Sequence, residues 1–396
     1  MRIAIVSPLY ESVPPKLYGG TERVVSYLTD ELVRQGHRVT LFASGDSTTR
    51  ARLRAATDRG LRLNPACRDP LAHHVIMLDE LIEAAAEFDI IHFNIDYWHF
   101  PLSKWLRLPA VTTLHGRLDI PDLVPLYARF REMPLISISN AQRKPLPHAN
   151  WVANIHHGLP TDLYTFRERH GSYLAFLGRI SPEKRPDRAI AVARRTGIPL
   201  KIAAKVDPAD QAYFDEQIRP LLTSPGVEFI GEIGEREKDR FLGEALALLF
   251  PVDWPEPFGL VMVEAMACGT PVIAYRCGSV PEVMRDGITG YIVDNHEQAV
   301  SAVASLETID RAKCRRIFEQ RFTVERMARA YLSAYRRVAL RAAPPQRAGS
   351  IVVDGNFPGT PVLHSVRRGK VAAVSEKSPD HDQPVVPTAR INGDSP

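Results

Sequence analysis

The 396-residue sequence predicts an α/β protein made of two domains, each wound around a mostly parallel sheet. Short apolar runs of strand length alternate along the chain with stretches whose apolar residues fall at helical spacing. The alternation restarts after about residue 158, so it describes two units of similar size. At roughly 100–200 residues per domain, a chain with 45% hydrophobic and 24% charged residues holds two ordinary cores.

Residues 2–7 read as a buried strand, and residues 21–35 as a helix with Val24, Val25, Leu28, Leu32 and Val33 on one face and Gly36 as its C-terminal cap. Residues 39–43 complete a strand–helix–strand unit, and further strands are predicted at 90–93, 110–114, 135–138 and 151–155. Strands separated by helices imply a doubly wound parallel sheet covered on both faces. Residues 158–171 carry Pro160 and little apolar periodicity, as a linker would. Strands at 173–177, 200–203, 227–230, 247–250, 271–274 and 291–293 then build the second domain. Met327, Tyr331, Leu332 and Tyr335 give a last helix over residues 323–340. Residues 343–396 hold eight of the 32 prolines and one aromatic residue, Phe357, which reads as a disordered tail.

Composition excludes several classes. A formal charge of +4 is far from the basic surface that a phosphate backbone requires, so nucleic acid is not an expected partner. Cys67, Cys268, Cys277 and Cys314 form no CxxC pair, which suggests neither a zinc site nor a disulfide framework and fits a reducing, cytoplasmic setting. The apolar start is too short for a signal peptide, and no run of about 18 apolar residues offers a transmembrane segment. Peripheral contact with a membrane and the oligomeric state stay open.

The most informative stretch runs from Trp254 to Val272 and contains Glu256, Pro257, Phe258, Gly259, Leu260 and Glu264. Pro257 and Gly259 hold off a helix until about Leu260, which leaves Glu256 on a loop and Glu264 more than one turn inside the helix. The amides of Phe258, Gly259 and Leu260 then open that helix and attract an anion. Carboxylates that accept hydrogen bonds from sugar hydroxyls, next to an anion site, describe a nucleotide sugar. Gly19 and Gly20, between the first strand and first helix, allow close approach of a ligand, and Thr21 is placed to cap the helix. The loop lacks the GxGxxG of a dinucleotide fold, which argues against a dehydrogenase. His115 is expected at a strand's C-terminal tip, facing the crevice where open α/β sheets bind ligands.

With these residues the chain resembles the nucleotide-sugar-dependent glycosyltransferases of family 4, a retaining family of the "glycosyl transferases group 1" type. The resemblance covers roughly residues 1–340. It rests on the seven-residue spacing of Glu256 and Glu264, on Gly178-Arg179-Ile180-Ser181-Pro182-Glu183-Lys184 placed after a strand, on Tyr18-Gly19-Gly20-Thr21-Glu22, and on Leu114-His115-Gly116. It implies the GT-B fold, with two Rossmann-like domains facing a central cleft: residues 1–158 on the acceptor side, 159–322 binding the donor, a helix at 323–342 crossing back to the first domain, and the tail from 343.

It also implies roles. Arg179 and Lys184 would clamp the donor diphosphate and stabilise the charge left on it, so that no metal or other cofactor is needed. Glu256 would contact the donor sugar, Glu264 the ribose, and His115 the reaction centre. Lys205, expected just after a strand, would lie near the phosphates, and Gly231 near the base. Asp96 and Tyr97 are the expected acceptor contacts. The function implied is transfer of a sugar from a nucleotide diphosphate sugar to an acceptor hydroxyl on a glycan, a lipid-linked molecule or a small molecule. The competing expectation is a non-catalytic nucleotide-sugar or glycan-binding protein on the same scaffold.

Overall fold

The computed structural model describes residues 1–341, so the tail expected from residue 343 lies outside the described residues. Strand β1 (Arg2–Val6) is buried from Ile3 onward, because helices cover both faces of its sheet. It is followed by β2 (Arg38–Ser44), β3 (Arg52–Thr57), β4 (Ile90–Phe93), β5 (Ala110–Thr113), β6 (Leu135–Ser137) and β7 (Trp151–Asn154). These form one sheet in the order β3-β2-β1-β4-β5-β6-β7, with every neighbouring pair parallel. The second lobe contains β8 (Leu174–Ile180), β9 (Leu200–Val206), β10 (Val227–Gly231), β11 (Ala247–Phe250), β12 (Val272–Tyr275) and β13 (Gly290–Val293). They too are parallel, in the order β10-β9-β8-β11-β12-β13.

In both sheets the strand order switches sides beside the first strand, between β1 and β4 and between β8 and β11. Open parallel sheets bind ligands beyond the carboxyl ends of their strands at such points. The motifs that the sequence singled out lie at or beyond the carboxyl ends of these four strands and of β5, β9 and β10.

The first helix, Gly20–Arg34, buries Val24, Val25, Leu28 and Leu32, each at most 2% exposed. Burial of this kind contributes roughly 1.5–3 kcal/mol per side chain. Gly36 ends it in the left-handed region, with its amide on Val33 and that of His37 on Leu32. Thr21 lies inside this helix and does not cap it, because Gly19 takes the capping position. Strand β3 carries no apolar run to detect: it pairs only with β2 and exposes Arg52 and Ala55.

The chain crosses between lobes twice, side by side. The amide of Leu159 donates to Phe322 O and that of Val324 to Leu159 O, both at 2.9 Å. A Cβ on Gly158 would stand 2.3 Å from Thr323 O, so only glycine lets the strands pass. Beyond this crossing, helix Val324–Arg341 packs on the first lobe with Met327, Tyr331, Leu332 and Tyr335 buried. Its Tyr331 hydroxyl lies 3.0 Å from Thr113 Oγ1 at the end of β5, and Tyr335 Oη lies 2.8 Å from His92 Nδ1.

Further contacts join the lobes at the mouth of the cleft. Glu232 accepts from the Tyr18 amide at 2.8 Å, Arg23 pairs with Glu235, and Glu282 accepts from the amides of Asn140 and Ala141.

Candidate active site

A cavity of about 560 Å³ lies between the lobes, in the range of small-molecule sites. Gly19, Gly20, Asp96, His115, Arg179, Lys184, Lys205, Pro257, Phe258, Gly259, Leu260 and Glu264 line it together with Glu256.

Glu256 sits on the loop after β11, 8% exposed. Its Oε2 accepts from Lys184 Nζ at 2.5 Å and from Trp254 Nε1 at 2.8 Å. Lys184 in turn lies over the rings of Trp254 and Phe250, at 5.2 and 5.7 Å. Fixing both charges before substrate arrives lowers the reorganisation that a reaction would otherwise require.

The loop is itself supported from behind. Ser279 donates its amide to Glu256 O and its hydroxyl to Phe258 O, both at 2.9 Å. Gly278, at φ 54°, comes so close that a Cβ there would lie 2.3 Å from Glu256 N.

Helix Leu260–Cys268 begins after Gly259 at φ 76°, so its first amides open onto the cavity as the sequence predicts. Glu264 is 2% exposed on this helix and accepts from Lys238 Nζ at 3.1 Å. Burial pushes the Lys238 ammonium below its usual range, and Glu264 opposes that shift.

Arg179 and Lys205 lie inside strands, not beyond them: β8 runs through Ile180 and β9 through Val206. The two residues are register partners, which sets two cations side by side on one face. Arg179 is held by Glu183 at 2.5 Å and Asp210 at 3.3 Å. Gly231 does not line the cavity; its left-handed φ of 77° turns the chain so that Glu232 and Ile233 do. Tyr97 is likewise absent from the lining and packs on the cluster of Phe100 and Leu114, while its neighbour Trp98 faces the cavity.

On the first lobe, His115 follows β5 by two residues. Asn94, anchored by its amide nitrogen to Val6 O at 3.2 Å, presents Oδ1 to His115 Nε2 at 2.9 Å. Since that oxygen only accepts, Nε2 carries the proton and Nδ1 a lone pair. Nδ1 is buried without a protein partner, and burial pulls the imidazole pKa down to about 4. His157 stacks on His115 at 5.4 Å and 17° and meets Phe258 edge-on at 4.8 Å.

Sequence reasoning missed His157, Lys238 and the part played by Asn94. Asn94 carried a signal, as a polar residue directly after an apolar strand; Lys238 carried none, because its partner lies 26 positions away.

The profile of the family described as Glycosyl transferases group 1 matches residues 167–321, and that of Glycosyltransferase Family 4 matches residues 18–198. A D-inositol 3-phosphate glycosyltransferase from Mycobacterium tuberculosis is 33% identical over 347 residues, covering 74% of this chain and 71% of its own length. The chain belongs to glycosyltransferase family 4. Solved structures agree on the GT-B fold of this family 4 enzyme. HepE from Anabaena, in complex with UDP and glucose, superposes with a TM-score of 0.68 at 19% identity, over 85% of this chain and 100% of its own. A sucrose-phosphate synthase from Thermosynechococcus elongatus does so with a TM-score of 0.69 at 19% identity, over 85% and 99%. The chain is therefore a nucleotide-sugar-using glycosyltransferase. Among the described residues no helix is long and apolar enough to cross a membrane.

Proposed function

We propose that this glycosyltransferase retains anomeric configuration and works without a metal, moving a sugar from a nucleotide diphosphate donor held by the second lobe to an acceptor hydroxyl brought by the first. The observation that carries this reading is the Lys184–Glu256 pair at 2.5 Å, in one cavity with Arg179, Glu264 and His115.

In the proposed roles, Arg179 and Lys184 face the diphosphate, Glu264 the ribose and Glu256 the donor sugar. The bond from anomeric carbon to phosphate oxygen breaks with its electron pair going to the diphosphate, where the two cations stabilise the new charge. The acceptor oxygen bonds to the same face of that carbon, and its proton passes to the departing phosphate oxygen. His115, neutral and with its Nδ1 lone pair available, orients a sugar hydroxyl by accepting its hydrogen bond. The mycobacterial relative's name makes D-inositol 3-phosphate one acceptor to test.

A thermal-shift panel of UDP-, GDP- and ADP-sugars identifies the donor, since a ligand at 100 times its Kd stabilises by about 2.7 kcal/mol. Nucleotide release should then persist in EDTA, give product of retained configuration by NMR, and vanish in Lys184→Ala and Glu256→Ala. Inverted product, or activity lost to EDTA and restored by manganese, overturns the corresponding part. Binding without turnover would instead favour a sugar-binding module.

A further inference from the structure

We propose that the first lobe's wall of the cavity takes an uncharged polyhydroxylated ring, a sugar or cyclitol without phosphate, and that Glu22 selects it by accepting hydrogen bonds from its hydroxyls. This rests on the transferase reading and narrows its acceptor to a chemical class.

Glu22 lies in the first turn of helix Gly20–Arg34, lines the cavity and is 6% exposed. A buried carboxyl is costly unless hydrogen bonds replace its water. Here only its own backbone supplies one, with longer-range help from Arg62 and Arg23, and burial pushes its pKa up to about 7. The chain also makes room for it. A Cβ on Gly19 would come 2.8 Å from Pro15 Cβ and 3.1 Å from Glu22 Oε2, and a Cβ on Gly20 would meet nothing within 4 Å, so open space lies beside the loop. A carboxyl kept beside open space in a substrate cavity is matched by the hydroxyls of a ligand, which donate to it.

The charges on this wall argue against a phosphate. The lysines that line the cavity, Lys184, Lys205 and Lys238, all belong to the second lobe. The first lobe contributes two arginines, and both are committed: Arg23 to Glu235 and Leu17 O, Arg62 to Glu11 at 3.1 Å. Asp96 adds another carboxyl group, whose pKa burial pushes up to about 6. A phosphorylated acceptor would find two carboxyl groups and no uncommitted cation among the first-lobe residues that line the cavity, so nothing on this wall offsets the desolvation of a phosphate, and above about pH 7 the ionised carboxyls repel it, which works as selectivity. Trp98, set edge-on against His74 at 4.6 Å, presents an aromatic surface on the same wall for the apolar face of a ring.

The test uses the full-length protein, the donor identified above and matched acceptor pairs: myo-inositol with a myo-inositol monophosphate, mannose with mannose 6-phosphate, glucose with glucose 6-phosphate. The readout is acceptor-stimulated nucleotide release. The free member of at least one pair should show at least ten-fold higher kcat/KM than its phosphate. Glu22→Gln should raise that acceptor's KM at least ten-fold with a smaller change in kcat, and Glu22→Lys should shift the preference toward the phosphate. Asp96→Lys serves as the second charge reversal if Glu22→Lys fails to fold. Preference for phosphorylated acceptors by the unmodified protein, a KM within two-fold after Glu22→Gln, or donor hydrolysis that no free polyol stimulates would each overturn the proposal. Absence of both donor binding and nucleotide release would instead sink the transferase reading itself.

Discussion

The second lobe's wall sets Lys184 against Glu256 at 2.5 Å and Lys238 against Glu264 at 3.1 Å, whereas the first lobe's wall presents His115 and His157, each with a buried Nδ1 that has no protein partner. The second lobe's wall is a lattice of paired charges, and the first lobe's wall adds to its carboxyls and paired arginines two imidazoles that burial holds neutral. The contrast fits a division of labour. Charge that develops on a diphosphate needs fixed cations, while a hydroxyl needs a directed acceptor, which a neutral imidazole nitrogen or a carboxyl oxygen supplies. It also extends beneath the surface, since His92 and His99 are fully buried in the first lobe, with burial holding His92 down to about 3. Between residues 159 and 322 the histidines are the exposed His170 and the half-buried His296.

The largest expected effect breaks the charged wall without touching a charge. In Gly278→Ala the new Cβ collides with the backbone of Glu256 at a left-handed φ of 54°. The loop must shift, and misplacement of about 1 Å costs on the order of 10²-fold in rate. A fall of that size in kcat/KM, with Glu256 and Lys184 intact in sequence, is the expected result; activity within three-fold of the parent would show that the loop is not held from behind.

Gly278 also marks where sequence reading stopped. Glu256 and Glu264 were legible because the elements that place them are local: a strand end, a Pro-Phe-Gly turn and a helix start within 18 residues. Strands β4 and β11 were legible to the residue because their runs are compact, fully apolar in β11 and interrupted only by His92 in β4. The residues that support the site were not, since Gly278 meets Glu256, Lys238 meets Glu264, and His157 meets His115 only after folding. Strand ends were blurred where the chain stays extended past its last apolar residue, as at Arg179 and Lys205, because backbone pairing between β8 and β9 continues through polar positions.

A second prediction separates the lobes by pH. An imidazole with a pKa near 6.5 in the unfolded chain and about 3 in the folded one, as for His92, binds fewer protons when native. Its contribution to stability is therefore complete above about pH 6.5 and is lost as pH falls through the window below it. For His92 the loss by pH 5 is about 2 kcal/mol, from 1.5 units at 1.36 kcal/mol each. Acidification from pH 7 to 5 should thus loosen the first lobe before the second. Hydrogen exchange followed by mass spectrometry, corrected for intrinsic rates, reads this directly; earlier loss of protection in β8 to β13 would contradict it.

The smallest expected effect probes how the neutral imidazoles are held. Tyr335 reaches back from the C-terminal helix to place its hydroxyl 2.8 Å from His92 Nδ1, while His92 Nε2 lies 2.7 Å from Thr113 Oγ1. A phenol hydroxyl donating to Nδ1 fixes the tautomer that keeps Nε2 protonated toward Thr113. Tyr335→Phe preserves the ring packing and removes that donor, which leaves a buried nitrogen unsatisfied at a cost of about 1–3 kcal/mol. The variant should melt a few degrees lower, and the same substitution should cost less when made in His92→Leu, where the orphaned nitrogen is gone as well. A Tyr335→Phe variant that melts with the parent would mean that Tyr335 acts through packing alone. In that case the coupling between the returning helix and the histidine wall is apolar, and the contrast between the two lobes is confined to the cavity surface.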